Sequence, residues 1–234
     1  MTDTVVLIPA AGSSNRMGFN KLFAELCGSP VLAHTIRQLS SVEDVASIIL
    51  AVSPGDEITI QRDIIDACGL IKVTAVVPGG ETRVDSVWNA FQAVRFPCEL
   101  VAVHDAARPF VSRSVFRAAL SSARESGAAI VATPVIPTIK KVDAGLMVSS
   151  TPDRRALWAA ATPQVFRYSA FKDAYATFRS SGRNPADVTD DAQLLEYAGY
   201  PVAIVPGNPE NIKLTTPFDW QLAQAFADQW LNLP

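Results

Sequence analysis

The sequence predicts an α/β protein built on a doubly wound, mostly parallel, Rossmann-like sheet. Six short runs carry the prediction: "TVVLIPA", "VASIILAVS", "KVTAVVPGG", "ELVAVHD", "AAIVATPV" and "PVAIVPG". Each is nearly continuous in Val, Ile, Leu and Ala, as strands covered on both faces read. Amphipathic segments alternate with them, and that alternation favours parallel pairing through right-handed crossovers. The chain has 234 residues, of which 49% are hydrophobic and 18% charged. A single domain over residues 1–234 can therefore bury a large core.

The first strand, residues 4–10, runs into "PAAGSSNRMGFNK". Small residues at 10–14 let backbone approach a ligand, and N–H groups before a helix or turn can cradle phosphates. Arg16 and Lys21 would add a fork and a point charge. The segment fits neither the P-loop nor the GxGxxG pattern. Read alone, it is equally a tight turn carrying two solvated cations.

After the third strand, "PGGETRVDS" makes a tight turn at Gly79–Gly80, and Arg83 and Ser86 open a helix. In that helix Val84, Val87, Trp88, Phe91 and Val94 share one face. The fourth run delivers His104 and Asp105 to its C-terminal end, followed by Arg108. A carboxylate there can meet a ribose hydroxyl or a hard cation such as Mg²⁺. His104 is read as a hydrogen-bonded structural histidine rather than a base. The next helix, "SRSVFRAALSSARESG", has a Ser cap and stops at Gly127. Loops 9–21 and 104–110 should then share one edge of the sheet, where ligands of this architecture bind.

Residues 137–166 break the rhythm. Two β-like arms surround "DAG" with no helical pattern, which predicts an inserted hairpin arm at about 137–160. Beyond it, Thr189 or Asp190 in "TDDA" and Thr216 before Pro217 read as helix caps. Lys213 stands in a strand-like "NIKLT", where an isolated cation is costly unless it meets an anion.

Net charge is −3, which argues against a nucleic-acid duplex as partner. No apolar run reaches the roughly 20 residues of a membrane span. The N-terminus lacks the basic n-region of a signal peptide. Three scattered cysteines and two histidines offer no zinc spacing. These features predict a soluble cytoplasmic protein with reduced thiols.

Taken in order, "PAAGSSNRM", "NK", "GGETRVDSV", "HDAARPF", "TIKKV", "TPQVF", "TDDA" and "NIKLT" resemble the motifs of the 2-C-methyl-D-erythritol 4-phosphate cytidylyltransferase family. The resemblance runs from about Val5 to the final helix. It implies a homodimeric nucleotidyltransferase of the non-mevalonate isoprenoid pathway, joining CTP to methylerythritol phosphate with Mg²⁺ and releasing pyrophosphate. By that resemblance, Pro9, Ala10, Ala11, Gly12, Gly80, Glu81 and Ser86 would surround cytosine and ribose. Asp105 and Ala106 would line the ribose and metal side. Arg16, Lys21 and Lys213 would hold the triphosphate and bear on its transfer. Arg108, Thr138, Arg154 and Thr189 would meet methylerythritol phosphate, some of them across a dimer formed by the arm. Ser14 stands where the family commonly has Gly, and Pro137 where it often has Asp.

Other readings remain. A cytidylyltransferase for another polyol phosphate, such as ribitol 5-phosphate, would share these loops. A non-catalytic nucleotide-binding regulator would keep the fold without turnover. A dinucleotide oxidoreductase would need GxGxxG after the first strand, and this chain lacks it.

Overall fold

The structure, a computed structural model, describes residues 3–12 and 22–231. Strand β1 (Thr4–Ala10) is followed by a two-stranded corner, β2 (Glu25–Leu26) and β3 (Ser29–Pro30). Cys27 and Gly28, both at positive φ, make the turn between them. Helix α1 (Val31–Ser40), β4 (Val45–Val52) and α2 (Glu57–Ile60) come next, α2 widening into a π-helical stretch over Gln61–Asp66. Then come β5 (Val73–Pro78), α3 (Arg83–Gln92), β6 (Leu100–Val103), α4 (Arg113–Ser126) and β7 (Ala128–Pro134). The arm carries β8 (Lys141–Val142) and β9 (Val148–Ser150). The chain returns through β10 (Trp158–Arg167), α5 (Tyr168–Ser180), α6 (Ala192–Tyr197), β11 (Ala203–Pro206) and α7 (Pro217–Leu231).

Seven strands form the main sheet in the order β11-β7-β10-β6-β1-β4-β5. All six expected strands are in it. They run parallel to one another, while β10 runs antiparallel between β6 and β7. Sequence reading had assigned the start of β10 to the arm. The arm proper joins β7 to β10 over residues 135–157, so its predicted end at 160 overlaps the first residues of β10. The short side chains of "WAAATPQ" disguise this strand, because three alanines show neither alternation nor β-branching.

Period-two alternation splits the sheet's side chains between two cores. Val6, Ile8, Ile48 and Leu50 pack against α1, the π-helical stretch and α4. Val5, Leu7, Ile49 and Ala51 pack against α3, α5 and α6. The caps follow the sequence reading at α4, where Ser112 accepts from Val115 N and Gly127 closes the helix at φ 88°. Thr216 likewise accepts from Asp219 N at the start of α7. Among the described residues, no helix is long and apolar enough to cross a membrane.

Candidate active site

The C-terminal ends of the parallel strands converge with the N-terminal end of β10. Here the ends of β1, β5 and β6 open a cavity of about 460 Å³, a size that suits a nucleotide. Its wall includes Pro9, Ala10, Ala11 and Gly12 from the first loop, and Gly80, Glu81 and Ser86 from the second. Arg83, Asp105, Ala106 and Lys213 also line it. The nine residues expected around cytosine, ribose and metal, together with Lys213, therefore lie on one surface. Arg16, Lys21 and Ser14 lie outside the described residues.

The two glycine positions have different physical reasons. A Cβ on Gly79 would lie 2.4 Å from Ala11 Cβ and 2.9 Å from Ser86 Oγ. A Cβ on Gly80 would lie 2.3 Å from Asp85 Cβ. These glycines allow the second loop to press against both the first loop and α3. By contrast, a Cβ on Gly12 would meet nothing within 4 Å among the described residues. No described neighbour demands a glycine there.

The second loop is held by its own helix. Thr82 and Asp85 form a reciprocal capping box at the start of α3. The Ser86 hydroxyl donates to Thr82 O and accepts from Gly80 N at 3.1 Å. Thr35 Oγ1 donates to Ala106 O, anchoring the third loop to α1.

His104 is wholly buried and structural, as the sequence reading favoured. Its Nε2 lies 3.1 Å from Arg108 O, a carbonyl that can only accept, so Nε2 carries the proton. With Nδ1 left unprotonated, it accepts the proton of Thr162 Oγ1, which itself accepts from Asp105 N. The motifs "HDAAR" and "TPQ" thus brace each other. Burial pushes the imidazole down from its ordinary 6.5 to about 4. Because folding weakens its proton affinity, the unfolded chain takes up that proton first. Stability is full above about pH 6.5 and falls as pH drops toward about 4, by at most about 3 kcal/mol from this group. Melting temperatures across this window should fall less steeply in His104→Asn than in the wild type. Equal slopes would remove His104 from the acid response.

Asp105 is the electrostatic hub. Its Oδ2 lies 3.0 Å from both Arg108 Nε and Lys213 Nζ, and its Oδ1 3.8 Å from Arg83 Nε. Burial alone would raise this carboxyl, but Lys213, Arg83 and Arg108 outweigh it and hold it well below the usual carboxylate range. The strand-like reading of Lys213 gives way to an extended loop. Leu214 N donates to Ala107 O, and Asn211 O accepts from Arg108 Nη1, which places Lys213 over the end of β6.

A second cavity of about 180 Å³ adjoins the first, sharing Arg83, Asp105 and Lys213. It holds Arg108 and Thr189 among its walls, with Thr162, Gln164 and Asp190. Thr189 does not cap α6. Asp190 Oδ1 accepts from Gln193 N, and Gln164 Oε1 accepts from the N–H groups of Asp191 and Ala192. Thr138 and Arg154 stand apart on the arm, exposed, with Arg154 Nη1 donating to Ile136 O.

Sequence reasoning left Arg83, Thr162, Gln164 and Asp191 without roles. One signal was present for Arg83. It occupies the first position of α3, where a cation opposes the helix dipole unless a carboxylate answers it.

Among the described residues, no group of three or more His, Cys, Asp or Glu side chains is placed to hold a metal ion. Asp105 alone is a poor cage for Mg²⁺, which favours several oxygen ligands. This donor set suits a cation that arrives on a triphosphate and takes most of its ligands from it.

The profile of the 2-C-methyl-D-erythritol 4-phosphate cytidylyltransferase family matches residues 4–229. The chain is 43% identical to the 2-C-methyl-D-erythritol 4-phosphate cytidylyltransferase of Desulforamulus reducens, over 97% of this chain and 96% of that one. It is 43% identical to the enzyme of that name from Alkaliphilus metalliredigens, over 96% and 92% of the two chains. Among solved structures, 4-diphosphocytidyl-2C-methyl-D-erythritol synthase from Anaerococcus prevotii superposes with a TM-score of 0.84 at 32% identity. That alignment covers 97% of this chain and 99% of the other. The cytidylyltransferase from Thermus thermophilus gives 0.79 at 35% identity, covering 97% and 100%. With its two braced loops, its Asp105 hub and these relatives over nearly its whole length, the chain belongs to the 2-C-methyl-D-erythritol 4-phosphate cytidylyltransferase family.

Proposed function

We propose that this protein transfers the cytidylyl group of CTP to 2-C-methyl-D-erythritol 4-phosphate and releases pyrophosphate. The observation that carries the reading is the pair of adjoining cavities sharing Arg83, Asp105 and Lys213. One is large and walled by small residues, as a nucleotide requires. The other is smaller and more polar, with Arg108 and Thr189 for a phosphorylated polyol. The polyol phosphate is already an anion and needs little activation. It needs alignment with the α-phosphorus and relief from charge repulsion. Lys213 lies between the cavities and supplies both; Arg16 and Lys21 are assigned the triphosphate from sequence. Mg²⁺ would be held mainly by the CTP phosphates with Asp105 as the chain's oxygen donor, and when bound it offsets phosphate charge. We place the reaction in the cytoplasm, where the three scattered cysteines stay reduced.

The arm supports a homodimer. Leu146 is 81% exposed, and Met147 and Val148 beside it are exposed too. A lone two-stranded ribbon is marginal in water, so its apolar face calls for a cover. A second copy would also give the stranded Thr138 and Arg154 a site to complete. The double variant Leu146→Asp/Val148→Asp should sediment as a monomer and lose most turnover. A dimer with full activity would refute the arm's role.

The direct test is a pyrophosphate-release assay with CTP, Mg²⁺ and a panel of polyol phosphates. Methylerythritol phosphate should give the highest kcat/KM. Faster turnover with ribitol 5-phosphate would change the substrate, and CTP binding without turnover on any polyol would indicate a regulator.

A further inference from the structure

We propose that Arg83 is a positioning residue of the transfer site, pinned by Asp191 and acting through Asp105 on Lys213. The inference rests on the cytidylyltransferase reading and adds a pair to which that reading gives no task.

Asp191 is fully buried and held on every side. Its Oδ1 accepts from Tyr175 OH at 3.0 Å, and its backbone N donates to Gln164 Oε1. Its Oδ2 lies 2.7 Å from Arg83 Nη1. The other side of the same guanidinium turns Nε toward Asp105 Oδ1 at 3.8 Å, opposite the oxygen that holds Lys213 at 3.0 Å. Arg83 thereby spans two carboxylates delivered by distant parts of the chain. It also lines both cavities.

Stability is a weak reason for this arrangement. A buried ion pair returns little after desolvation, and a cation in the first turn of α3 opposes the helix dipole. Geometry offers a better reason. Asp105 sits on a loop, with three cations competing for it. A guanidinium fixed from behind by Asp191 sets the plane of that carboxylate, and the carboxylate sets where Lys213 rests between the two phosphates. A planar fork can reach both carboxylates from one rigid group, whereas a lysine ammonium is a single point. Small errors in placing such groups cost rate more than affinity.

The test measures kcat, KM for both substrates and melting temperature in Arg83→Lys, Asp191→Asn, their double variant and Tyr175→Phe. Arg83→Lys keeps a charge for Asp191 but loses the fork. It should fold, keep KM for CTP within about threefold, and lower kcat about tenfold or more. Asp191→Asn should do the same, and the double variant should be no slower than the slower single, since both break one link. Tyr175→Phe disturbs the same buried site from its other side; it should lower the melting temperature and leave kcat within about twofold. Wild-type kcat in Arg83→Lys, multiplying losses in the double variant, or a kcat loss in Tyr175→Phe matching that in Asp191→Asn would each overturn the proposal. If Asp191→Asn does not fold, Arg83→Lys against Tyr175→Phe decides alone. Ratios are taken on whichever polyol phosphate the wild type turns over best, so a wrong substrate assignment leaves the comparison intact.

Discussion

Lys213→Gln is expected to lower kcat/KM for cytidylyl transfer by about 10²- to 10³-fold, the range for losing one preorganised group that stabilises developing charge. The side chain lies in the walls of both cavities, where the phosphate of one substrate must approach the phosphates of the other. In the structure its ammonium rests 3.0 Å from Asp105 Oδ2, and its side chain is 40% exposed. Its present partner is shared with Arg108 and Arg83, so giving up Lys213 does not strand the Asp105 charge. That makes Lys213 a cation the site can lend to an incoming anion. Lys213→Arg should recover only part of the loss, because a planar fork replaces a compact charge. The measurement is steady-state pyrophosphate release with both substrates varied. A Lys213→Gln enzyme within about threefold of wild type would move the work of charge stabilisation elsewhere.

The second large effect is steric. Gly79→Ala places a methyl group 2.4 Å from Ala11 Cβ and 2.9 Å from Ser86 Oγ, with Val52 O at 3.1 Å. None of these is the far end of a flexible chain. The first and second loops must part, and overpacking of this kind costs about 1–3 kcal/mol. The nucleotide cavity lies between those loops, so CTP affinity should fall at least about tenfold together with the melting temperature. Gly12→Ala is the counterpart. Among the described residues no protein atom lies within 4 Å of the added group, so the melting temperature should hold while CTP binding weakens. Calorimetric titration with CTP and thermal melts on both variants separate the two cases. A Gly79→Ala protein that melts and binds as the wild type does would show that the loops slide apart freely.

Much of this site was legible because its loops lie at the ends of strands that announce themselves. Pro9–Gly12, Gly80, Ser86, Asp105 and Ala106 follow apolar runs whose direction the crossover rule fixes, and all reach one cavity. The antiparallel β10 was not legible. Its alanines carry no period, and its direction depends on the arm returning beside β7. Thr162 and Gln164 enter the site from the middle of an antiparallel strand, so an argument from strand ends passes over them. Asp191 was hidden for another reason. In the sequence it is one of two adjacent aspartates that look like helix caps. Its value comes from Arg83, 108 residues away, and only folding brings the two together.

The reversed strand has a consequence for how this family can vary. Pro134 at the end of β7 pairs with Trp158 at the start of β10, so the two roots of the arm leave the sheet side by side. Closing a longer or shorter loop between adjacent roots costs little entropy. The arm can therefore change in length without altering any parallel crossover or either core.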